Sequence, residues 1–447
     1  MNVLITTNEL GALRYYGGLG THVTDLVAAL RAGGHRIVVV LSFDDEYRET
    51  SHALIDGLDV IQVSAAPLHT SSADRLGFEQ RGAELERIVR GLGFRADVIH
   101  CHDYWNFMFA WQLSTRLGAP IVSTVHGFAL MQQFSDTARA RHLQAELDAR
   151  FQSDGPPLDW PGPIPNDCDF YIALFYWIER TMLQRSARLI YPTARAADIA
   201  RLLYASDFDP ARSRIIHHGT DLARYERRDT DLPALRQVRA TAAGGRNVIV
   251  FAGRLEEQKG LRFLLEALAL AKSRGLQFHL LVHGTGSRAE ALQRKAESIG
   301  LAGNATFAGF VPKEHLIQVF HRADLGVIPS LWESFGYVAI EMLACGLPVI
   351  VSAVDGLDVI VEHGRSGYKV PTHDAEGKRE VDVPALAATL VEAMSADPAA
   401  RARMAKEGRR RVREEFSIAA MMARTLDVYV EAVSATGLGF TRSFLRR

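Results

Sequence analysis

Short apolar runs that do not alternate with polar residues recur along the whole chain, and they set its fold class. They are Val3–Ile5, Ile37–Leu41, Val98–Ile99, Ile121–Val122, Leu189–Tyr191, Val248–Phe251, Phe278–Val282, Leu325–Ile328 and Val349–Val351. A strand with one face in water alternates apolar and polar residues. A continuous apolar run is buried on both faces, the pattern of a parallel sheet covered by helices. Segments with helical periodicity separate the runs, such as His22–Arg31, Gly260–Ser273 and Arg288–Ser298. Gly33 and Gly34 close the first of these as glycines past a helix C-terminus do. The chain has 447 residues, more than one ordinary core takes up. The pattern therefore predicts an α/β protein of two successive units, each an open parallel sheet. Such sheets bind ligands beyond the carboxyl ends of their strands. Two of them facing each other enclose a cleft lined by the loops after the strands.

The alternation pauses twice. A polar stretch over residues 132–169 ends in Ser153–Asn166, whose five prolines exclude a helix interior or a central strand and leave a loop or flap. A charged segment over residues 225–246 ends in Gly244-Gly245, just before the strand Val248–Phe251. We expect a first domain over residues 1–210, a second over 211–416 and a tail over 436–447. The amphipathic segment 417–435 is expected to cross back and complete the first domain. The tail is basic, and a weak peripheral contact with a membrane is compatible with it.

Charge and cysteine content narrow the class. The formal net charge of −1 supplies no drive toward nucleic acid. Cys101, Cys168 and Cys345 lie far apart without a CxxC pair, so neither a disulfide framework nor a zinc knuckle is expected. A reducing, cytoplasmic setting fits. Met1–Thr7 reads as a strand rather than a signal peptide. No apolar run approaches the roughly 20 residues that span a bilayer. Phe170–Ile178 is the greasiest stretch, and its length predicts a buried helix.

Three loops carry chemistry. Gly17-Gly18-Leu19-Gly20 follows the first strand and opens a helix, where backbone N–H groups can meet a diphosphate. Arg254 and Lys259 follow the strand Val248–Phe251 and can clamp a phosphate pair. The segment Pro329–Glu341 is the most informative. Ser334 is expected to cap a helix running from Phe335 to Ala344, with Glu333 at its mouth. Glu341 would then lie two turns inside, about 12 Å along the axis. The amides of Ser334, Phe335 and Gly336 would face an anion held between the two carboxylates.

Glu333 and Glu341, with Gly253-Arg254…Lys259-Gly260 and the N-terminal glycine loop, resemble the retaining GT-B glycosyltransferases of the glycogen-synthase-like family, glycosyltransferase family 4. The resemblance is strong over residues 247–417 and ordered but weaker over 1–220. It implies two Rossmann-like domains and transfer of a sugar from a nucleotide diphosphate sugar to a hydroxyl acceptor. It implies no metal and no further cofactor. Glu333 is similar to the glutamate set against the donor sugar, and Glu341 to the one that bonds the ribose. Arg254 and Lys259 resemble the pair that neutralises the leaving diphosphate, and Gly18 and Gly20 the phosphate-facing loop. Phe310 and Val311 correspond to the segment at the nucleobase. His126, in Thr124-Val-His-Gly127, resembles a histidine close to the reacting centre.

Some positions depart from the family pattern. Tyr15 and Tyr16 stand where glycogen synthases carry a lysine, His218-Gly219 replaces Asn-Gly, Asp355-Gly356 replaces a glycine pair, and Val359 replaces a glutamate. These leave the donor and acceptor open. His100, His102 and Asp103 have a spacing seen in metal sites, but are expected to line the cleft. Gly284-Thr-Gly286 matches part of a dinucleotide fingerprint without the acid that would hold a ribose. A nicotinamide-dependent oxidoreductase and a non-catalytic sugar-nucleotide binder on the same fold are the alternatives.

Overall fold

The computed structural model describes residues 1–13, 17–43, 49–64, 74–128, 170–228, 244–375 and 378–435, with scattered positions between 232 and 240. The proline-rich segment 153–166, Tyr15, Tyr16, Cys168 and the tail 436–447 lie outside the described residues. Contacts divide the chain into two units, Met1–Gly219 with Ile418–Arg447, and Thr220–Ser417.

Unit 1 is built in the order β1 (Asn2–Thr7), α1 (Gly18–Ala32), β2 (Arg36–Phe43), β3 (Ser51–Ile55), β4 (Leu58–Ser64), α2 (Asp74–Gly91), β5 (Val98–His102), α3 (Phe107–Leu117), β6 (Ile121–Thr124), α4 (Phe170–Arg185), β7 (Arg188–Tyr191), α5 (Ala194–Leu203) and β8 (Ser213–Ile215). The eight strands run β3-β4-β2-β1-β5-β6-β7-β8. All pairs are parallel except β3 with β4. Val3, Leu4, Ile5, Val98 and Ile99 are fully buried, as unalternated runs require. The first unit ends at Gly219 rather than at residue 210, because β8 pairs with β7 and so belongs to the first sheet. The greasy stretch forms α4, whose Phe175, Tyr176, Ile178, Met182 and Leu183 are buried.

Unit 2 follows with β9 (Asn247–Ala252), α6 (Leu261–Ser273), β10 (Phe278–His283), α7 (Ala289–Ser298), β11 (Ala305–Gly309), α8 (Lys313–Phe320), β12 (Leu325–Ile328), α9 (Tyr337–Ala344), β13 (Val349–Ser352), α10 (Asp355–Ile360), β14 (Tyr368–Val370), the hairpin β15 (Thr372–Ala375) and β16 (Lys378–Val381), α11 (Val383–Ser395) and α12 (Pro398–Glu415). Its six-stranded sheet is ordered β11-β10-β9-β12-β13-β14 and wholly parallel.

The last helix, α13 (Ile418–Ala435), returns to unit 1. Tyr429 is fully buried, with its hydroxyl 2.6 Å from His100 Nδ1. Glu431 accepts from Arg188 at 2.9 Å and from Arg214 at 2.6 Å. Among the described residues, no helix is long and apolar enough to cross a membrane.

In each sheet the first strand has later strands on both sides. β1 separates β2 from β5, and β9 separates β10 from β12. The chain reverses direction across the sheet at these points, and the loops beyond the carboxyl ends of the flanking strands diverge there to leave a crevice. The glycine loop, Arg254, Lys259 and Glu333 fall on loops at these points, whereas His126 follows β6, Phe310 and Val311 follow β11, and Glu341 lies inside α9.

Candidate active site

In unit 2 the loop after β9 is pinned before it reaches α6. Leu255 donates to Thr285 O at 2.8 Å, and Leu331 donates to Gln258 O at 2.8 Å. The second bond zips this loop to the one after β12, across the switch point. It brings Lys259 Nζ within 2.5 Å of Glu333 Oε2, with the two side chains 18% and 14% exposed. A pair so far withdrawn from water is much less screened than a surface pair, yet both groups keep an open side. Arg254 stands exposed on the same loop. Beside it, Glu256 lies below the usual carboxylate range, chiefly through hydrogen bonds from the Ser287 hydroxyl and amide, with a smaller contribution from Arg254.

The helix after β12 begins later than expected. α9 starts at Tyr337, its cap is Gly336 at φ 101°, and Ser334 makes no capping bond. The cause is tertiary. Gly356 donates to Glu333 O at 3.0 Å, and the buried Phe335 ring packs on Tyr337 and Phe416. These contacts hold residues 333–335 out of the helix, and the chain re-enters it through a left-handed residue that glycine supplies without strain. Glu341 is consequently the fifth residue of α9, about 6 Å along the axis at regular rise rather than about 12 Å. It is buried, and Lys313 Nζ lies 2.7 Å from its Oε1. Lys313 opens α8 and also lies 5.9 Å from the Tyr225 ring centroid. Phe310, three residues before α8, is 70% exposed, unusual for an aromatic ring, while Val311 is partly buried.

Asp355, where the family pattern has glycine, keeps a left-handed backbone at φ 37°. The conformation that favours glycine is therefore retained at the cost of some backbone strain. Its carboxylate lies 3.8 Å from the Arg379 guanidinium. Gly284 and Gly286 have a packing explanation. A Cβ on Gly284 would stand 1.9 Å from Gly253 O, and one on Gly286 would stand 2.5 Å from Leu255 O. They let two loops of the chain meet, which removes the need to read them as a dinucleotide site.

The corresponding edge of unit 1 is built differently. Its glycine loop delivers the amides of Gly17 and Gly20 to one carboxylate oxygen of the chain itself, Glu9 Oε2, at 3.1 and 2.8 Å. Glu9 is buried and was missed in the sequence, although an acid just after the strand and before the glycines was visible there. Gly18, the first residue of α1, is exposed. Beside this loop is a cluster of five histidines. His22 comes from α1, His100 and His102 from β5, His126 from just past β6 and His218 from just past β8. His102 Nδ1 lies 3.2 Å from His126 Nε2, and ring centroids are 4.0 Å apart for His22 and His218 and 4.1 Å for His100 and His102. Burial lowers His22 and His100 to about 3 and drives His102, His126 and His218 well below the ordinary histidine range, with neighbouring imidazoles adding to the effect. They are neutral at neutral pH. His100 is wholly occupied, with Tyr429 on Nδ1 and Thr124 Oγ1 at 2.7 Å on Nε2. It is buried behind His102, not exposed at a cleft wall. Asp103, also buried, has a carboxyl raised to about 7 by desolvation and accepts from Tyr104 N at 2.9 Å.

A cavity of about 360 Å³ opens at the other end of the unit 2 sheet, lined by Asp324, Arg365, Arg401 and Glu407. It lies at the amino end of β12, away from the edge where parallel sheets hold ligands, and is not the candidate site.

Comparisons with known proteins agree with this architecture. Residues 236–411 match the family described as glycosyl transferases group 1, and residues 16–224 match glycosyltransferase family 4. A D-inositol 3-phosphate glycosyltransferase of Jonesia denitrificans is 30% identical over 370 residues, covering 80% of each chain. A glycogen synthase of Mycobacterium tuberculosis is 26% identical over 432 residues, covering 93% of this chain and 91% of the other. Among solved structures, sucrose-phosphate synthase from Thermosynechococcus elongatus superposes with TM-score 0.68 at 22% identity, over 97% of this chain and all of the other. Anabaena HepE in complex with UDP and glucose superposes with TM-score 0.69 at 18% identity, over 96% of this chain and 99% of the other. Two α/β units built on parallel sheets are the architecture of the GT-B glycosyltransferases this chain superposes on. The chain belongs to glycosyltransferase family 4 and is an enzyme of that class.

Proposed function

We propose that this enzyme moves a hexose-like group from a nucleoside diphosphate sugar to a hydroxyl acceptor with retention at the anomeric carbon. The observation that carries this reading is the Lys259–Glu333 pair, 2.5 Å apart at the carboxyl edge of the unit 2 sheet. Lys259 and Arg254 would take the charge that builds on the departing diphosphate, with the first-turn amides of α9 adding to it. Preorganised charges of this kind are the largest catalytic term in most enzymes. Glu333, held by Lys259, would accept from hydroxyls of the transferred sugar. Glu341, held by Lys313, would accept from the ribose, and the exposed Phe310 with Val311 would meet the base. A donor phosphate oxygen would help take the acceptor proton. In unit 1, Gly18, Gly20 and His126 keep the roles the family resemblance gives them. A phosphate on the amide of Gly20 would have to displace Glu9.

Two side-chain cations on the diphosphate do the work a divalent ion does elsewhere, so transfer is proposed to need no metal cofactor. The relative HepE was solved with UDP and glucose, which supports a nucleoside diphosphate hexose as donor. Relatives named for inositol 3-phosphate support a small polyol acceptor, and the glycogen synthase relative supports a glycan. The buried, free Cys101 and Cys345 suit a reducing cytoplasm. The test is a panel of UDP-, ADP- and GDP-hexoses assayed for release of free nucleotide in EDTA, with NMR of the first sugar product. Release from one donor family, unchanged by EDTA and giving the α product from an α donor, is expected. Donors that all stay intact, or turnover that needs added metal, would overturn it.

A further inference from the structure

His22, His102 and His126 each offer a ring nitrogen, and the three nitrogens lie within 4.8 Å of one another. They arrive from distant parts of the sequence, on α1, at the end of β5 and just past β6. His218 comes from beyond β8, with its ring centroid 4.0 Å from that of His22 and 4.9 Å from that of His126. His102 is fully buried, and its Nε2 has no hydrogen-bond partner. The nitrogens that face one another are His102 Nδ1 and His126 Nε2, and the gathering of these neutral imidazoles from distant parts of the chain is explained if they share a ligand.

We propose that His22, His102 and His126, with His218 beside them, form a binding site for one divalent transition-metal ion of the zinc type within unit 1.

The distances suit such an ion. Nitrogens around a tetrahedral ion at about 2.0–2.1 Å are about 3.4 Å apart. The His102–His126 nitrogens already stand at 3.2 Å, so small ring rotations close the rest of the cage. Imidazole selects zinc, cobalt, nickel or copper over magnesium and calcium, which need oxygen ligands. The three rings are neutral ligands, so the ion keeps its charge and a coordination position for water, hydroxide or another anion. His100 backs the site, fixed by Tyr429 and Thr124, with its ring tilted 39° against that of His102. Bound metal would tie α1, β5 and the segment after β6 together, stabilising unit 1. The ion would occupy a nitrogen of His126, the histidine also proposed near the reacting centre, so metal binding is expected to compete with that role; the cobalt titration reads binding alone and stands whether or not the donor reading does.

The test uses the full chain, stripped of metal and titrated with Co²⁺, read by visible absorption and by metal analysis after dialysis. One cobalt per chain with the intense bands of tetrahedral nitrogen coordination is expected, displaced by Zn²⁺ and not by Mg²⁺, together with a rise in Tm. His102→Ala should weaken binding by at least 100-fold, and the exposed His373→Ala should leave it unchanged. His126→Gln, at a less buried position, should also weaken binding, and circular dichroism checks that each variant folds. Folded wild type that takes up no cobalt, or folded His126→Gln that binds as tightly as wild type, overturns the proposal.

Discussion

The two units solve the same electrostatic problem in opposite ways. Each carries its candidate residues at the carboxyl edge of its sheet, around the switch point and the strands next to it. In unit 2 that edge carries charges in pairs, Lys259 with Glu333 and Lys313 with Glu341. In unit 1 it carries five neutral imidazoles, four of them buried, and a carboxylate folded onto its own glycine loop. Charged groups at an edge stay available to an anionic ligand because each keeps a partner in the ligand's absence. Neutral imidazoles tolerate full burial, but then offer lone pairs rather than charge. On the proposed reading the side-chain cations for the diphosphate lie on the unit 2 edge, and the imidazole cluster of unit 1 is the proposed metal site.

The sharpest way to break this division is to remove Glu333. Glu333→Ala is expected to lower kcat by about 10²–10³-fold, the loss typical of a preorganised group at the reacting centre, while cobalt uptake by unit 1 stays unchanged. A variant that retains normal turnover would end the role given to the Lys259–Glu333 pair.

A smaller effect tests how the units respond to acid. Burial lowers His283, at the end of β10, to about 4. The unfolded chain takes up a proton near pH 6.5, whereas folded unit 2 resists until near pH 4. The stability this histidine allows is present above pH 6.5 and is lost as pH falls toward 4, amounting to about 2 kcal/mol at pH 5. His283→Leu should flatten that part of the pH dependence. Denaturant unfolding of both proteins at pH 7 and pH 5 measures it, and equal slopes would show that His283 contributes nothing.

The smallest expected change is at Glu341. Glu341→Gln should raise KM for the donor by about tenfold with kcat nearly constant, because a ribose contact is made in ground and transition states alike. A fall in kcat with unchanged KM would move Glu341 to the reacting centre.

Much of this was legible in the sequence. The unalternated runs pointed to the parallel sheets that the fold shows, and the residues after them offered Arg254, Lys259, Glu333 and Glu341 as candidates, of which the structure brings Lys259 against Glu333. Burial on both faces leaves that pattern whatever the neighbours are. The start of α9 was misplaced because a serine ahead of an apolar run is an ordinary capping signal, and only packing from Gly356, Phe416 and Tyr337 overrules it. Lys313 was passed over because its partner lies 28 residues away and nothing local marks it, and Glu9, though visible between strand and glycines, because only the fold turns the amides of Gly17 and Gly20 onto it.

Periodicity and residue chemistry by themselves determined the two-sheet plan and which loops hold the reactive side chains, since both follow from what a short stretch of chain must bury. The gathering of His22, His102, His126 and His218 was decided by tertiary structure alone. Those residues are separated by up to 196 positions, and only the strand order of a twisted sheet, closed by α13, sets their rings within a few ångströms of one another.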